Sequence, residues 1–214
     1  MYDVVIVGAG GFARELKLLL PDCLSESEYR FKGFLGKDQG VGPDETVRQL
    51  TLGDPEEYRP QPNDRFVLAI GSMNHRRRVV ESIVERGGRF VTMIHPLAFV
   101  ASTAQLGEGV VIYPYAVVSN EAELQDYAKL NYYASVGHNS RVGKYCLLAP
   151  YATVNGFSVL EDEVFMSTHT TVAPVLHVGQ RTKLSANSAL MVDASPDSFV
   201  FGVPGKCVRQ VRFE

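Results

Sequence analysis

The chain has 214 residues, of which 45% are hydrophobic and 21% are charged, and its formal net charge at pH 7 is −3. This length is sufficient for two modest domains that bury their own cores without disulfide bonds. A pI near 6.0 argues against the basic surface of a nucleic-acid-binding protein. Three scattered cysteines predict neither a disulfide framework nor a zinc cluster. We expect a cytoplasmic protein, because the chain opens as a strand and no apolar run reaches membrane-spanning length.

The first twenty residues predict a buried strand, a glycine turn and an amphipathic helix. In the motif VVIVGAGGFARE, Gly8, Gly10 and Ala13 have the G-x-G-x-x-A spacing of a phosphate-binding turn. The second strand ends in FKGFLGKDQG, so Gly36 and Lys37 stand where an NAD-binding protein needs an acidic residue for the ribose. A mononucleotide site is therefore the better interpretation. The alternative is that these glycines only turn the chain.

The remainder of the N-terminal region completes a small α/β unit. The sequence predicts loops with one short helix over 41–64, a buried parallel strand over 66–71 and a helix over 72–88. The run His75–Arg78 opens this helix, at the carboxyl ends of the strands, where such sheets bind ligands. A phosphate site and a solvated helix face explain this run equally well.

The segment from Val100 to Ala194 repeats with a period of six residues. An aliphatic residue returns at every sixth position for sixteen repeats, and the residue four places after each is small in all but three repeats. The aliphatic positions are Val100, Leu106, Ile112, Val118, Leu124, Leu130, Val136, Val142, Leu148, Val154, Leu160, Met166, Val172, Val178, Leu184 and Leu190. This period is the hexapeptide signature of a parallel β-helix, whereas an accidental pattern in a β-sandwich would not keep its register so long. Each aliphatic side chain is expected inside a narrow prism and each small residue at a corner.

The two ends of the repeat region carry their own signals. The IHP sequence at Ile94 marks the entry into the first coil, and the tail from Pro196 onward is expected to cap the open end of the solenoid. Seven tyrosines of the repeats are expected to be exposed and to pack against neighbouring subunits. They are Tyr113, Tyr115, Tyr127, Tyr132, Tyr133, Tyr145 and Tyr151.

Five motifs together resemble one branch of the hexapeptide-repeat acyltransferases. They are VVIVGAGGFARE, AIGSMNHRRR, IHP, LNYYASVGHNSRVG and FGVPGKCVR. This branch contains the sialic acid O-acetyltransferases and the N-acetyltransferases of nucleotide-linked amino sugars such as bacillosamine and perosamine precursors. The resemblance implies an α/β plus all-β chain, with a small Rossmann-like nucleotide-sugar-binding domain over 1–90 and a left-handed β-helix with a C-terminal cap over 91–214. It also implies acetyl-CoA as co-substrate, bound by the β-helix, and a homotrimer.

The resemblance identifies His138, in the motif VGHNSR, as the general base. Its position two residues after Val136 independently turns it outward, and an imidazole suits the removal of a proton from an amine or hydroxyl that attacks a thioester. The family commonly has Asp or Glu directly after this histidine, whereas this chain has Asn139, which accepts a hydrogen bond but carries no charge. Gly156, eighteen residues after His138, is expected beside it in the next coil, with its N–H available to the thioester oxygen.

The resemblance implies further binding residues in both domains. The candidates for the nucleotide sugar are Gly8, Gly10, Gly11, Asp38, Asn74 and Asn131, and those for acetyl-CoA are Gly156, Ser167, Thr168, Lys206 and Arg209. Glycine and asparagine at such positions also serve as ordinary turn residues. No histidine pair has metal-ligand spacing with a carboxylate or cysteine, so we expect no metal site.

The leading hypothesis is an acetyl-CoA-dependent N-acetyltransferase that acts on a nucleotide-linked amino sugar, in the first instance a 4-amino-dideoxy sugar, in polysaccharide biosynthesis. One alternative is O-acetylation of sialic acid or a related sugar. A second alternative is a β-helix binding module without catalysis, for which Asn139 and His169 would be signs of drift.

Overall fold

The computed structural model describes residues 1–36 and 45–209. The chain divides into two compact units, Met1–Met93 and Ile94–Glu214. Asp38, a candidate substrate-binding residue, and Lys37 lie outside the described residues.

The first unit is built on a four-stranded parallel sheet with the strand order β3-β2-β1-β4. Its strands are β1 Tyr2–Val7, β2 Tyr29–Leu35, β3 Thr51–Gly53 and β4 Asp64–Leu68, and its helices are α1 Gly11–Cys23, α2 Glu45–Gln49 and α3 Met73–Glu85. Strand β1 lies inside the sheet and is almost fully apolar, so its residues from Val4 to Val7 are at most 1% exposed. Strand β3 was not expected, because three residues at a sheet edge carry too little pattern to predict a strand.

The second unit is a parallel β-helix whose coils are made of three two-residue strands each. The six-stranded sheet consists of β6 Phe99–Val100, β9 Val117–Val118, β12 Ser135–Val136, β15 Thr153–Val154, β18 Thr171–Val172 and β21 Ala189–Leu190. The five-stranded sheet consists of β7 Gln105–Leu106, β10 Glu123–Leu124, β13 Arg141–Val142, β16 Val159–Leu160 and β19 His177–Val178. The eight-stranded sheet consists of β5 Met93–Ile94, β8 Val111–Ile112, β11 Lys129–Leu130, β14 Leu147–Leu148, β17 Phe165–Met166, β20 Lys183–Leu184, β22 Ser198–Phe201 and β23 Lys206–Arg209.

Strand pairing aligns residues that are eighteen apart, such as Ser135 with Thr153. The hexad register therefore becomes a continuous column of side chains, in which every aliphatic position from Ile112 to Leu190 is at most 2% exposed. Val100 and Leu106 are only partly buried, because strands β6 and β7 have a paired neighbour on one side only. The predicted prism is confirmed.

The tail forms an antiparallel hairpin on the last coil. Strand β22 pairs in parallel with β20, and β23 returns along β22. The side chain of Val200 is fully buried at the end of the aliphatic column. The hairpin therefore covers the last coil of the prism.

Of the seven tyrosines expected to be exposed, three are exposed, Tyr132 is partly buried and three are buried. Tyr115, Tyr133 and Tyr151 are 45–49% exposed, whereas Tyr113, Tyr127 and Tyr145 are at most 8% exposed. The physical reason is packing within the chain. The rings of Tyr127 and Tyr145 stack with their centroids 5.1 Å apart, and the ammonium of Lys129 lies 4.4 Å from the centre of the Tyr113 ring.

Candidate active site

His138 lies at the corner that joins β12 to β13, and its side chain is exposed. We call the corner between the six-stranded and the five-stranded sheets the His138 corner, since it recurs in every coil. At this corner Glu121, Asn139 and Phe157 all adopt a left-handed backbone conformation, with φ between +55° and +60°. The N–H of Phe157 donates to the carbonyl oxygen of His138 (3.0 Å), which fixes one coil against the next.

Gly156 occupies the His138 corner one coil later, beside the imidazole. A Cβ atom at residue 156 would lie 2.8 Å from both Cε1 and Nε2 of His138, so the ring edge that carries Nε2 packs directly on this glycine. The ring of Phe157 meets the imidazole edge to face, with centroids 5.1 Å apart. Among the residues that the structure describes, none accepts a hydrogen bond from the N–H of Gly156. The corner therefore presents a held imidazole next to an available backbone donor.

Asn139 connects the imidazole to a carboxylate. Its Oδ1 lies 3.1 Å from Nδ1 of His138, and its Nδ2 donates to Oε2 of Glu121 (2.5 Å). Sequence reasoning missed Glu121 because it examined the residue that follows the histidine. The signal was available, since Glu121 precedes Asn139 by eighteen residues, which is one coil.

Two other histidines of the β-helix, His95 and His169, lie elsewhere. His169 stacks on Tyr151 with centroids 4.6 Å apart, at the corner that joins the eight-stranded to the six-stranded sheet. His95 is buried, and its Nδ1 accepts from the N–H of Leu97 (3.1 Å). Neither has the exposed setting against a glycine that His138 has.

The remaining candidates in this unit are dispersed. Asn131, Ser167 and Thr168 lie with His169 at the other corner, one side of the prism from His138. Oδ1 of Asn131 accepts from the N–H of Tyr132 (2.8 Å), a contact that stabilises the turn at this corner. Lys206 and Arg209 are exposed at opposite ends of β23. Of the predicted β-helix residues that the structure describes, Asn139 and Gly156 are the two that contact His138.

A second candidate site is a pocket of about 620 Å³ in the first unit, at the carboxyl ends of β1 and β4. Gly8, Gly10 and Gly11 line one wall, and Ser72 and His75 line another. Gly8 has φ +132° and a Cβ there would lie 2.7 Å from the carbonyl oxygen of Ala69, so only glycine fits. The N-caps of α1 and α3, Gly10 and Ser72, make no side-chain cap hydrogen bond. Residues at the N-termini of both helices line the pocket, an arrangement that favours anions.

The four side chains of His75–Arg78 have different surroundings: two make contacts within the unit and two line the pocket. Arg76 is 1% exposed and donates to the carbonyl oxygen of Ile70, while Arg77 forms an ion pair with Glu81 (2.7 Å). His75 and Arg78 line the pocket, and Arg78 binds both carboxylate oxygens of Glu56 (2.6 Å each). Asn74 is exposed in the first turn of α3 and does not line the pocket.

Within the described ranges, no helix is long and apolar enough to cross a bilayer. The same ranges hold no group of three or more His, Cys, Asp or Glu residues suited to a metal ion.

Comparisons with known proteins agree with this architecture. Residues 3–83 match the PglD N-terminal domain family. UDP-N-acetylbacillosamine N-acetyltransferase of Bacillus subtilis (strain 168) is 32% identical over 120 residues, which are 52% of this chain and 51% of that protein. The match thus spans about half the length of this curated relative.

Solved structures match over almost the whole chain. PerB from Caulobacter crescentus, crystallised with CoA and GDP-perosamine, has a TM-score of 0.85 and 25% identity, with 97% of this chain and 98% of that chain covered. The acetyltransferase domain of PglB from Neisseria gonorrhoeae, in complex with acetyl coenzyme A, has a TM-score of 0.84 and 24% identity, with 96% and 98% covered, and so shares the fold. The chain therefore combines a PglD-type N-terminal domain with a hexapeptide β-helix, and in this it is similar to the sugar N-acetyltransferases named above.

Proposed function

We propose that the protein transfers the acetyl group of acetyl-CoA to the amino group of a nucleotide-linked amino sugar, with His138 as the general base. The observation that carries this proposal is the contact of the His138 imidazole with Gly156, next to a backbone N–H that has no acceptor among the described residues. A general base and an oxyanion donor side by side are the two groups that acyl transfer to an amine requires.

The chemistry follows from these two groups. The amine nitrogen of the sugar attacks the thioester carbonyl carbon, and Nε2 of His138 removes the amine proton as the C–N bond forms. The negative charge on the carbonyl oxygen is stabilised by the N–H of Gly156. When the tetrahedral intermediate collapses, the C–S bond breaks and the CoA sulfur takes the proton from the imidazolium. The histidine returns to its neutral form, so that atoms and charge balance over one turnover.

The pocket of the first unit is the proposed site of the nucleotide. Its phosphates would lie against Gly8, Gly10 and Gly11, where backbone N–H groups and the α1 dipole favour negative charge. A nucleotide-linked sugar as substrate is supported by a relative, since PerB was crystallised with GDP-perosamine. Lys206, Arg209, Ser167 and Thr168 are proposed to hold acetyl-CoA on the later coils. Asn131 is proposed to hold the sugar.

A homotrimer is part of the proposal. In one chain, Asn131, Ser167 and Thr168 lie one side of the prism from His138. The site would be complete at a seam between two subunits if the corner that carries these three residues in one β-helix packed against the His138 corner of its neighbour.

The decisive experiment is mass spectrometry of the products after incubation with acetyl-CoA and a panel of acceptors. The panel contains UDP-, GDP- and dTDP-linked 4-amino sugars, their 4-hydroxy counterparts and free sialic acid. We expect one acetyl group on an amino sugar and none on its hydroxy counterpart, and His138→Ala should lose about a hundredfold or more in turnover. Acetylation of sialic acid alone would establish the O-acetyltransferase alternative, and no acetylation of any acceptor would favour the binding module.

A further inference from the structure

We infer that Glu121 is a positioning residue for His138, acting through the amide of Asn139; this inference rests on the proposed role of His138 as base. Glu121 and Asn139 occupy the same place at the His138 corner in successive coils, and both have left-handed backbone conformations. The carboxylate of Glu121, the amide of Asn139 and the imidazole of His138 follow one another through contacts of 2.5 and 3.1 Å. The three groups thus form a chain from one coil to the next.

The chain determines which imidazole nitrogen carries the proton. An ionised carboxylate only accepts hydrogen bonds, so Glu121 requires the NH₂ group of Asn139 on its side. The amide oxygen of Asn139 then faces Nδ1 of His138 and can only accept, so Nδ1 must carry the hydrogen. Nε2 is left with its lone pair, and this is the nitrogen that lies against Gly156. The tautomer that serves as a base is therefore selected by a residue seventeen positions before the histidine.

Without the carboxylate, the selection is lost. The amide of Asn139 can rotate by half a turn and present its NH₂ group to Nδ1, which would then have to accept. The proton would move to Nε2, and His138 would have no lone pair where the amine arrives. A neutral asparagine after the histidine can therefore keep the lone pair on Nε2 only when an acceptor fixes the orientation of its amide.

Glu121 also supplies the charge that Asn139 lacks. Its carboxylate lies one amide group from the imidazolium that forms during the reaction, close enough to favour that cation although solvent screens the interaction. The other charged groups on the strands after these corners, Glu123 and Arg141, are engaged with each other (3.9 Å). Phe157, which packs against the imidazole, is neutral. Glu121 is thus the carboxylate that the described contacts link to His138.

The test is an exchange of the two side chains. Glu121→Gln should lower kcat about tenfold and leave KM for acetyl-CoA unchanged, since the base remains but its orientation and counter-charge are lost. The acid limb of the kcat/KM profile should move to lower pH, because a nearby negative charge no longer favours the protonated ring. Asn139→Asp alone should also lower kcat, because two carboxylates then face each other without a donor.

The double variant Glu121→Gln/Asn139→Asp should recover kcat to within about threefold of the wild type, because the glutamine now donates to a carboxylate that accepts from Nδ1. A role in folding alone predicts no such rescue. The matched control is Glu163→Gln, which removes a glutamate of the same left-handed backbone conformation (φ +62°) at a different corner and should change neither quantity. Failure of the double variant to exceed both single variants would overturn the inference.

A second readout does not depend on activity. Nitrogen-15 chemical shifts of the His138 ring report its tautomer in the free protein, and we expect the Nδ1–H form in the wild type and a mixture in Glu121→Gln. If the wild type acetylates no acceptor but the tautomer shifts, the relay stands and the proposed function fails. If Glu121→Gln changes neither the tautomer nor the acid limb, the relay is refuted whatever the activity. Asn139→Ala, which breaks the chain in its middle, serves as the second variant if Glu121→Gln does not fold.

Discussion

The contact between Gly156 and His138 predicts a large effect from a single methyl group. In Gly156→Ala, the new Cβ would lie 2.8 Å from Cε1 and Nε2, whereas ordinary contact begins near 3.4 Å, so the ring must move by about 0.6 Å. The ring of Phe157 restricts movement on one side, and the exposed side of the imidazole leaves only rotation toward solvent. A displacement of this size at a reacting nitrogen is expected to lower kcat about 10- to 100-fold. The backbone N–H of residue 156 is retained, so loss of the oxyanion donor does not contribute.

The assay is steady-state acetyl transfer at saturating acetyl-CoA, together with thermal unfolding of each variant. Because His138 is exposed and its ring can swing outward, we expect little change in Tm. The control is a double-mutant cycle: in a His138→Ala background, adding Gly156→Ala should cost no further activity. A further tenfold loss in that background, or normal turnover of Gly156→Ala alone, would refute the reasoning that the methyl group acts through the imidazole.

Three further predictions concern the cofactor, the assembly and the fold. Lys206→Ala/Arg209→Ala should raise KM for acetyl-CoA about tenfold through loss of phosphate contacts, and an unchanged KM contradicts that placement. Light scattering at micromolar concentration should show the mass of a trimer. A fully active monomer would contradict the proposal that the site lies between two subunits. Burial alone would raise the pKa of Asp126, but hydrogen bonds from Lys144 and from the N–H of Glu108 hold this pKa below its ordinary value of 3.8. This stabilisation is complete at neutral pH and is lost as pH falls through the lower folded-state pKa, so the difference in Tm between wild type and Asp126→Asn should shrink below about pH 4.

The β-helix was predictable from the sequence because one period fixes both the coil and its core. Sixteen repeats in one register leave a single way to bury the aliphatic residues, and coil stacking then aligns every position with the one eighteen residues later. No such rule determines how the side chains on the outside of the prism pack. The stacking of Tyr127 on Tyr145 depends on ring packing between coils, which the alternation of inward and outward positions does not specify.

The first unit was predictable where pattern and length were sufficient. Strands β1 and β4 and helices α1 and α3 carry long apolar runs or clear amphipathic spacing. Strand β3 pairs with β2 through a shifted register between Phe34 and Leu35, and its three residues have no alternation to detect. Its existence depends on the neighbouring strand, which is a tertiary effect.

The His138 corner shows how a candidate site is arranged in a solenoid. A residue that directly follows His138 can support it, but so can a residue one coil earlier, because both reach the same corner. Asn139 suits its left-handed backbone (φ +57°), since asparagine tolerates that conformation better than most residues. A carboxylate at residue 121 instead of residue 139 therefore requires no change in the backbone. It follows that functional groups in this fold should be compared along columns eighteen residues apart, and that a consecutive motif such as VGHNSR contains only part of the site.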